Sequence, residues 1–202
     1  MVPLQYIISP TDFDTALTCG SHWLQLRNCA SLEPAQLTEM LDRCHAAGCY
    51  LVLTDAVEAC VDVAADGVLL TAEGIESVAA RVPEPTGIVL QRPRPITQAI
   101  AEARKALGEE SPQFVGVQAA TAEDAVAAAK AGADFIQVPL DLCPTLLQAV
   151  RERSFTTPIV ALGILDAEAV GPLLGQGISG IACHIDEVPP VMIPLLLNAD
   201  EQ

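Results

Sequence analysis

The chain has 202 residues, with ten Lys and Arg against 26 Asp and Glu and a formal net charge of −16. That balance argues against nucleic acid, whose phosphates need clustered cations, and against an anionic membrane surface; its plain meaning is a solubility charge. Hydrophobic residues make up 51% and aromatic residues 3%, so the core is mostly aliphatic, as in helices layered on a buried parallel sheet, and the length suits one domain, 1–202.

The start, "MVPLQYIISP", lacks the basic region and long apolar run of a signal peptide, and "QYIIS" reads as a first strand. After a short helical stretch, "TDFDTALTCGS", comes the strand "WLQLR". Gln25 and Arg27 lie two apart in it and so share one face. "YLVLTD", "GVLL", "GIVLQ", "FVGVQA", "FIQV", "PIVALGI" and "GIACHI" bring the strand candidates to nine, about one more than a (β/α)8 TIM barrel takes. The irregular one is expected to be "GIVLQRPRP" (87–95), where Pro93 and Pro95 spoil a regular exit into a helix. The loop "RVPEPTG" (81–87) is the one conspicuous break.

A helix, a small residue or Gly, then a short apolar strand recurs at 44–55, 63–70, 128–138 and 173–183. Strands alternating with amphipathic helices such as "ITQAIAEARKAL" imply parallel pairing through βαβ crossovers. A (β/α)8 barrel is the expected fold, with a doubly wound open sheet as the alternative. Seven scattered cysteines, none in a CxxC pair, read as reduced core residues of a cytoplasmic protein rather than metal ligands. The tail "VPPVMIPLLLNADEQ" is apolar but broken by three prolines and too short to span a bilayer, so it is expected to cover the core or a partner surface.

In a parallel barrel, chemistry collects at the C-terminal ends of strands. Those ends offer Gln25 and Arg27, Thr54 and Asp55, Thr71 and Glu73, Gln118 and Thr121, Gln137 and Asp141, Gly163, and His184 with Ile185 and Asp186. Arg27 suits a bidentate phosphate or carboxylate contact, or a salt bridge to Asp55 on the next strand. Asp55 suits Mg²⁺, or the N-terminal cap of the helix "AVEACVDVAA". His184 suits acid–base work or a phosphate, or a structural hydrogen bond. Gly163 lets a phosphate approach backbone N–H groups, although loops of this type often need glycine anyway.

Together these segments resemble the thiamine phosphate synthase/TenI-like (thiazole tautomerase) superfamily of TIM barrels. "LQYIISP" resembles its first strand and "WLQLR" its QLR-x-K segment. "YLVLTDAVEACVDVAADGVLL" resembles its NDrvdlA…aDGVHLGQ-x-D stretch, "FVGVQAATAEDAVAAAKAGADFIQV" its GvS-hT-eEA…GAD stretch, and "TPIVALGI" its iPvvAIGGI. The stretch 84–112 looks like an insertion. The resemblance implies Mg²⁺-assisted coupling of hydroxymethylpyrimidine pyrophosphate to a thiazole phosphate with release of pyrophosphate. It implies Gln25 and Arg27 as catalytic, Asp55 and Glu73 at the metal, and Gln118, Thr121, Gly163, His184 and Ile185 around substrate phosphate.

The chain also departs from that pattern. Cys29 stands where the family has lysine, Thr54 replaces the Asn of its Asn-Asp pair, Ala56 its following basic residue, Gly74 its second metal aspartate, and Ala120 its tautomerase-type histidine. Gln118 replaces its serine and Ile164 its second glycine, and the whole chain has only Lys105 and Lys130. The expected function is therefore a divergent thiamine phosphate synthase-like protein of thiamine biosynthesis that binds a phosphorylated small molecule, with a homodimer allowed. The alternatives are an inactive ligand-binding, regulatory or assembly module, and proton transfer on a thiazole carboxylate phosphate by Glu73, Asp55 or His184.

Overall fold

Eight short, Val-, Leu- and Ile-rich strands pair in parallel and in chain order, and the last pairs with the first. They are β1 (Leu4–Ile8), β2 (Trp23–Leu26), β3 (Tyr50–Thr54), β4 (Gly67–Leu70), β5 (Phe114–Gln118), β6 (Phe135–Pro139), β7 (Ile159–Leu162) and β8 (Gly180–His184). This closed (β/α)8 barrel comes from a computed structural model that describes residues 4–81, 94–108, 110–163, 172 and 175–187. The expected barrel is thus the observed one, and the open sheet is not. The ninth strand candidate, at 87–91, lies outside the described residues, as do the tail and Ile164.

The helices are α1 (Phe13–Thr18), α2 (Pro34–Ala46), α3 (Val57–Val63), α4 (Ala72–Ala80), α5 (Pro95–Leu107), α6 (Ala122–Lys130) and α7 (Cys143–Glu152). Part of the stretch expected to be irregular is a regular helix. Pro95 does not spoil α5 but opens it, because a first-turn residue has no intrahelical partner for its N–H anyway. Ile96, Ala99, Ile100 and Ala103 recur at helical spacing and are buried, and α5 packs beside α3, α4, α6 and β5. Among the described residues no helix is long and apolar enough to cross a membrane. Six of the seven cysteines are buried and all are free thiols. Burial pushes the Cys143 thiol up to about 11 and the Cys60 thiol to about 12, as expected of core residues.

Alternation along the strands divides the barrel into two cores. Leu24, Leu26, Leu51, Leu53, Val68, Leu70, Val115, Val117 and Ile136 face outward and join the helices in one large apolar cluster. Inside, the Trp23 ring stacks on Phe114 with centroids 5.0 Å apart, and Phe135 meets Trp23 edge-on at 5.3 Å. Strands β2 and β5 are not neighbours, so these rings meet across the barrel. Aromatic contacts of this kind add about 0.5–1.5 kcal/mol each beyond their burial. Period-two alternation then turns Gln25 inward with Trp23, and Gln5, the register partner of Trp23 on β1, inward as well.

The rings also dictate a glycine. A Cβ on Gly116 would sit 2.1 Å from Cζ of Phe135, its register partner on β6. Gly116→Ala is expected to cost about 1–3 kcal/mol through overpacking, lowering Tm by about 2–4 °C per kcal/mol in a chain of this size. Thermal denaturation checks it, and an unchanged Tm would show that the Phe135 ring does not fill this space.

Candidate functional site at the barrel mouth

The C-terminal ends of β2, β3 and β4 open on a cleft of 670 Å³ whose walls include Arg27, Cys29, Thr54, Asp55, Thr71, Glu73 and Gly74. Three sequence-predicted residues, Arg27, Asp55 and Glu73, therefore share one cavity. Arg27 follows β2 and is exposed. Among the described residues its guanidinium makes no ion pair, so the expected salt bridge to Asp55 is not formed. Its charge is felt nearby: hydrogen bonds from Ser9 hold the Asp12 carboxyl below the usual range, and the Arg27 cation lowers it further.

Asp55 is committed in a way its sequence did not show. It has a left-handed backbone, φ 54°, which short polar residues tolerate. Its Oδ1 accepts the Thr71 N–H at 2.7 Å and its Oδ2 accepts the Thr71 hydroxyl at 2.5 Å. Thr71 is the N-cap of α4 and accepts from the Gly74 N–H at 3.5 Å. The expectation that Asp55 caps the helix after β3 is corrected: Ala56 precedes α3 without a side-chain cap, and Asp55 instead braces the start of α4. The turned backbone carries the carboxylate across to the neighbouring strand end. Gly74 is what permits this, since a Cβ there would lie 1.8 Å from Asp55 Oδ1.

The family lysine's replacement, Cys29, is buried, and its thiol donates to the Leu26 carbonyl at 3.2 Å. Burial pushes this thiol up, so it brings no charge to the cleft. Glu73 is exposed on the first turn of α4. Among the described residues no three His, Cys, Asp or Glu side chains gather as metal ligands.

The remaining candidates separate. Gln25 is 1% exposed, inside the barrel. Its Nε2 donates to Thr54 Oγ1 at 3.2 Å, and its Oε1 accepts from Gln137 Nε2 at 3.0 Å. Gln137 in turn donates to Gln5 at 3.3 Å and accepts from Gln118 Nε2 at 2.8 Å. Sequence reasoning missed Gln5; the available signal was an amide at alternating spacing within apolar β1, the same sign that marked Gln25. Thr121 caps α6, accepting the Asp124 N–H at 3.1 Å and donating to its carboxylate at 2.7 Å. Gly163 lines a different cleft with Asp141 and Leu140. Its N–H donates to the Ala182 carbonyl at 3.1 Å, so that amide is engaged in the sheet. His184 ends β8, half-buried, and Ile185 packs against the outer core.

These features define a class: a (β/α)8 barrel with a polar cleft at the strand C-terminal ends. Within that class the chain is similar in sequence to thiamine-phosphate synthases. It is 29% identical to the thiamine-phosphate synthase of Bacteroides thetaiotaomicron over 209 residues, covering 90% of this chain and 88% of the relative. It is 29% identical to that of Methanospirillum hungatei, covering 83% of this chain and 76% of the relative. Among solved structures, thiamine phosphate pyrophosphorylase from Pyrococcus furiosus shares the fold with a TM-score of 0.61 at 19% identity, over 90% of this chain and 84% of that one. No protein-family model matches the chain.

The Asp55–Gly74 contact predicts a coupling. Gly74→Ala is expected to displace the carboxylate from Thr71 and cost about 1–3 kcal/mol, because a paired group loses its partners. In an Asp55→Ala background the same substitution is expected to cost little. A double-mutant cycle by chemical denaturation checks this, and additive costs would refute the contact.

Proposed function

We propose that the protein is a thiamine-phosphate-synthase-like barrel of thiamine biosynthesis whose mouth binds a phosphorylated thiazole or pyrimidine through Arg27. The observation that carries this is the guanidinium of Arg27, which makes no ion pair among the described residues, in the same cleft as Asp55, Thr71 and Glu73. A planar guanidinium matches phosphate oxygens two at a time. The relatives named above support the substrate class.

Charge supply argues for binding one phosphate rather than displacing a diphosphate. Helices run back against the strands, so the ends of α5 and α6, with Lys105 and Lys130, lie at the opposite end of the barrel. Arg94 pairs with Glu123 and Asp124, and Arg81 with Glu58. A departing pyrophosphate carries about three negative charges and needs cations where that charge develops. Asp55 and Glu73 would hold Mg²⁺ together with a substrate phosphate, the ion keeping several waters, while the Asp55 oxygens also accept from Thr71. The same observations favour a second reading, a family member that binds ligand without turnover and acts as a regulatory or assembly module.

Calorimetric titration with hydroxyethylthiazole phosphate is expected to show saturable binding. Arg27→Gln is expected to weaken it about 10–100-fold, the worth of a charge-assisted hydrogen bond of about 1.5–3 kcal/mol. No binding by wild type, or equal binding by the variant, would overturn the reading. Incubation with both phosphorylated substrates and Mg²⁺ separates the two forms: thiamine phosphate above a no-protein control supports the enzyme, and bound ligand without product supports the module.

A further inference from the structure

The end of α2 brings two cysteines together, away from the mouth. Gly48, with φ 74°, turns the chain out of the helix. The Gly48 N–H donates to the His45 carbonyl at 3.0 Å, and the Cys49 N–H donates back to the Cys44 carbonyl at 3.0 Å. These two bonds make a Schellman motif, which sets the side chain third from the helix end against the side chain just past the turn. Here both are cysteines, and their thiols hydrogen-bond to each other, Cys44 donating and Cys49 accepting. Two sulfurs in such contact need little more than side-chain rotation to reach a disulfide bond of about 2.05 Å. Cys29 and Cys60 donate instead to backbone carbonyls, of Leu26 and Ala65.

The pair also differs from the other buried thiols in reactivity. Burial pushes Cys29, Cys60 and Cys143 up, which keeps each an inert thiol. The hydrogen bond from Cys44 holds Cys49 below its ordinary value in spite of burial, and the same bond pushes Cys44 up. Cys49 is therefore the attacking sulfur and Cys44 the resolving one. Cys49 keeps 4% of its surface exposed where Cys44 keeps none. Residues 45–48 and Tyr50 around it are exposed, so the turn faces solvent and a water-sized reagent.

We propose that Cys44 and Cys49 form a dithiol modification site, at which hydrogen peroxide makes a reversible disulfide that ties the end of α2 to the start of β3. The Cys49 sulfur attacks one peroxide oxygen and the O–O bond breaks. The leaving hydroxide departs as water with the Cys49 proton, and a sulfenic acid remains. The Cys44 sulfur then attacks the Cys49 sulfur. The S–S bond forms, the S–O bond breaks, and the second hydroxide leaves as water with the Cys44 proton. The two thiols lose two electrons and two protons, and peroxide is reduced to two waters. The site rests on nothing assigned to the mouth.

Trypsin cuts after Arg43 and Arg81, so residues 44–81 form one peptide holding Cys44, Cys49 and Cys60. The full folded chain, treated with hydrogen peroxide and then alkylated in denaturant, is expected to yield this peptide with Cys44 and Cys49 bridged, about 2 Da lighter than the dithiol, and Cys60 alkylated. Dithiothreitol is expected to restore both thiols. Bridging is expected at least about tenfold faster than oxidation of Cys60 or Cys143. In Cys44→Ala, dimedone is expected to trap a sulfenic acid on Cys49, and in Cys49→Ala, Cys44 is expected to stay a thiol. The wild-type peptide map decides even where a variant fails to fold. The proposal is overturned if Cys44 and Cys49 both remain alkylatable after the more exposed Cys19 has oxidised. A bridge to Cys60 instead, or a bridge that forms only in denaturant, overturns it as well.

Discussion

Four glutamine side chains hydrogen-bonded inside a closed barrel are the constraint around which the rest is arranged. Gln118 donates to Gln137, Gln137 to both Gln5 and Gln25, and Gln25 to Thr54. Amides taken this far from water are tolerated because most of their polar atoms satisfy one another, Gln5 Nε2 excepted among the described residues, and in a low-dielectric interior such chains rigidify what they cross. This one runs between β1, β2, β3, β5 and β6 and divides the interior. Above it lies the polar mouth with Arg27 and Asp55; below it lie the rings of Trp23, Phe114 and Phe135.

Packing below and electrostatics above follow from different demands. The aromatic end needs glycine where a ring crosses, and Gly116 meets that need under Phe135. The mouth needs a carboxylate that stays put, and Gly74 meets that need under Asp55. Glycine at 74 thus has a structural reason for standing where the resembled family places an acid. Cys29 acts likewise: a buried thiol bonded to a carbonyl replaces a mobile cation, and the cleft keeps Arg27 as its unpaired positive charge among the described residues.

Much of the architecture was legible in residue order. The alternation in "WLQLR" put Gln25 on the side of Trp23, and strand-by-helix alternation implied the parallel barrel. Pro95 misled, because a proline that breaks a helix interior is at home at its first position, and only the start of α5 tells the two apart. Asp55 misled for a different reason. Its nearest helix in sequence is α3, but a left-handed φ swings the carboxylate to Thr71, 16 residues on. Candidates that seemed to form one set at the strand ends divide among a cleft, an interior chain and a second cleft holding Gly163.

By itself the sequence determined what depends on neighbours along the chain: the strands, most helices, the buried cysteines, the charge, and which residues end each strand. Tertiary structure decided what depends on closure and register. It made Gln5, Gln25, Gln118 and Gln137 into one hydrogen-bonded chain, although Gln5 and Gln137 are 132 residues apart. It turned Asp55 onto Thr71 and left a cavity beside Trp23. Period and propensity are local properties that a chain carries in its order, whereas inside, outside and partner exist only once eight strands have met at both edges.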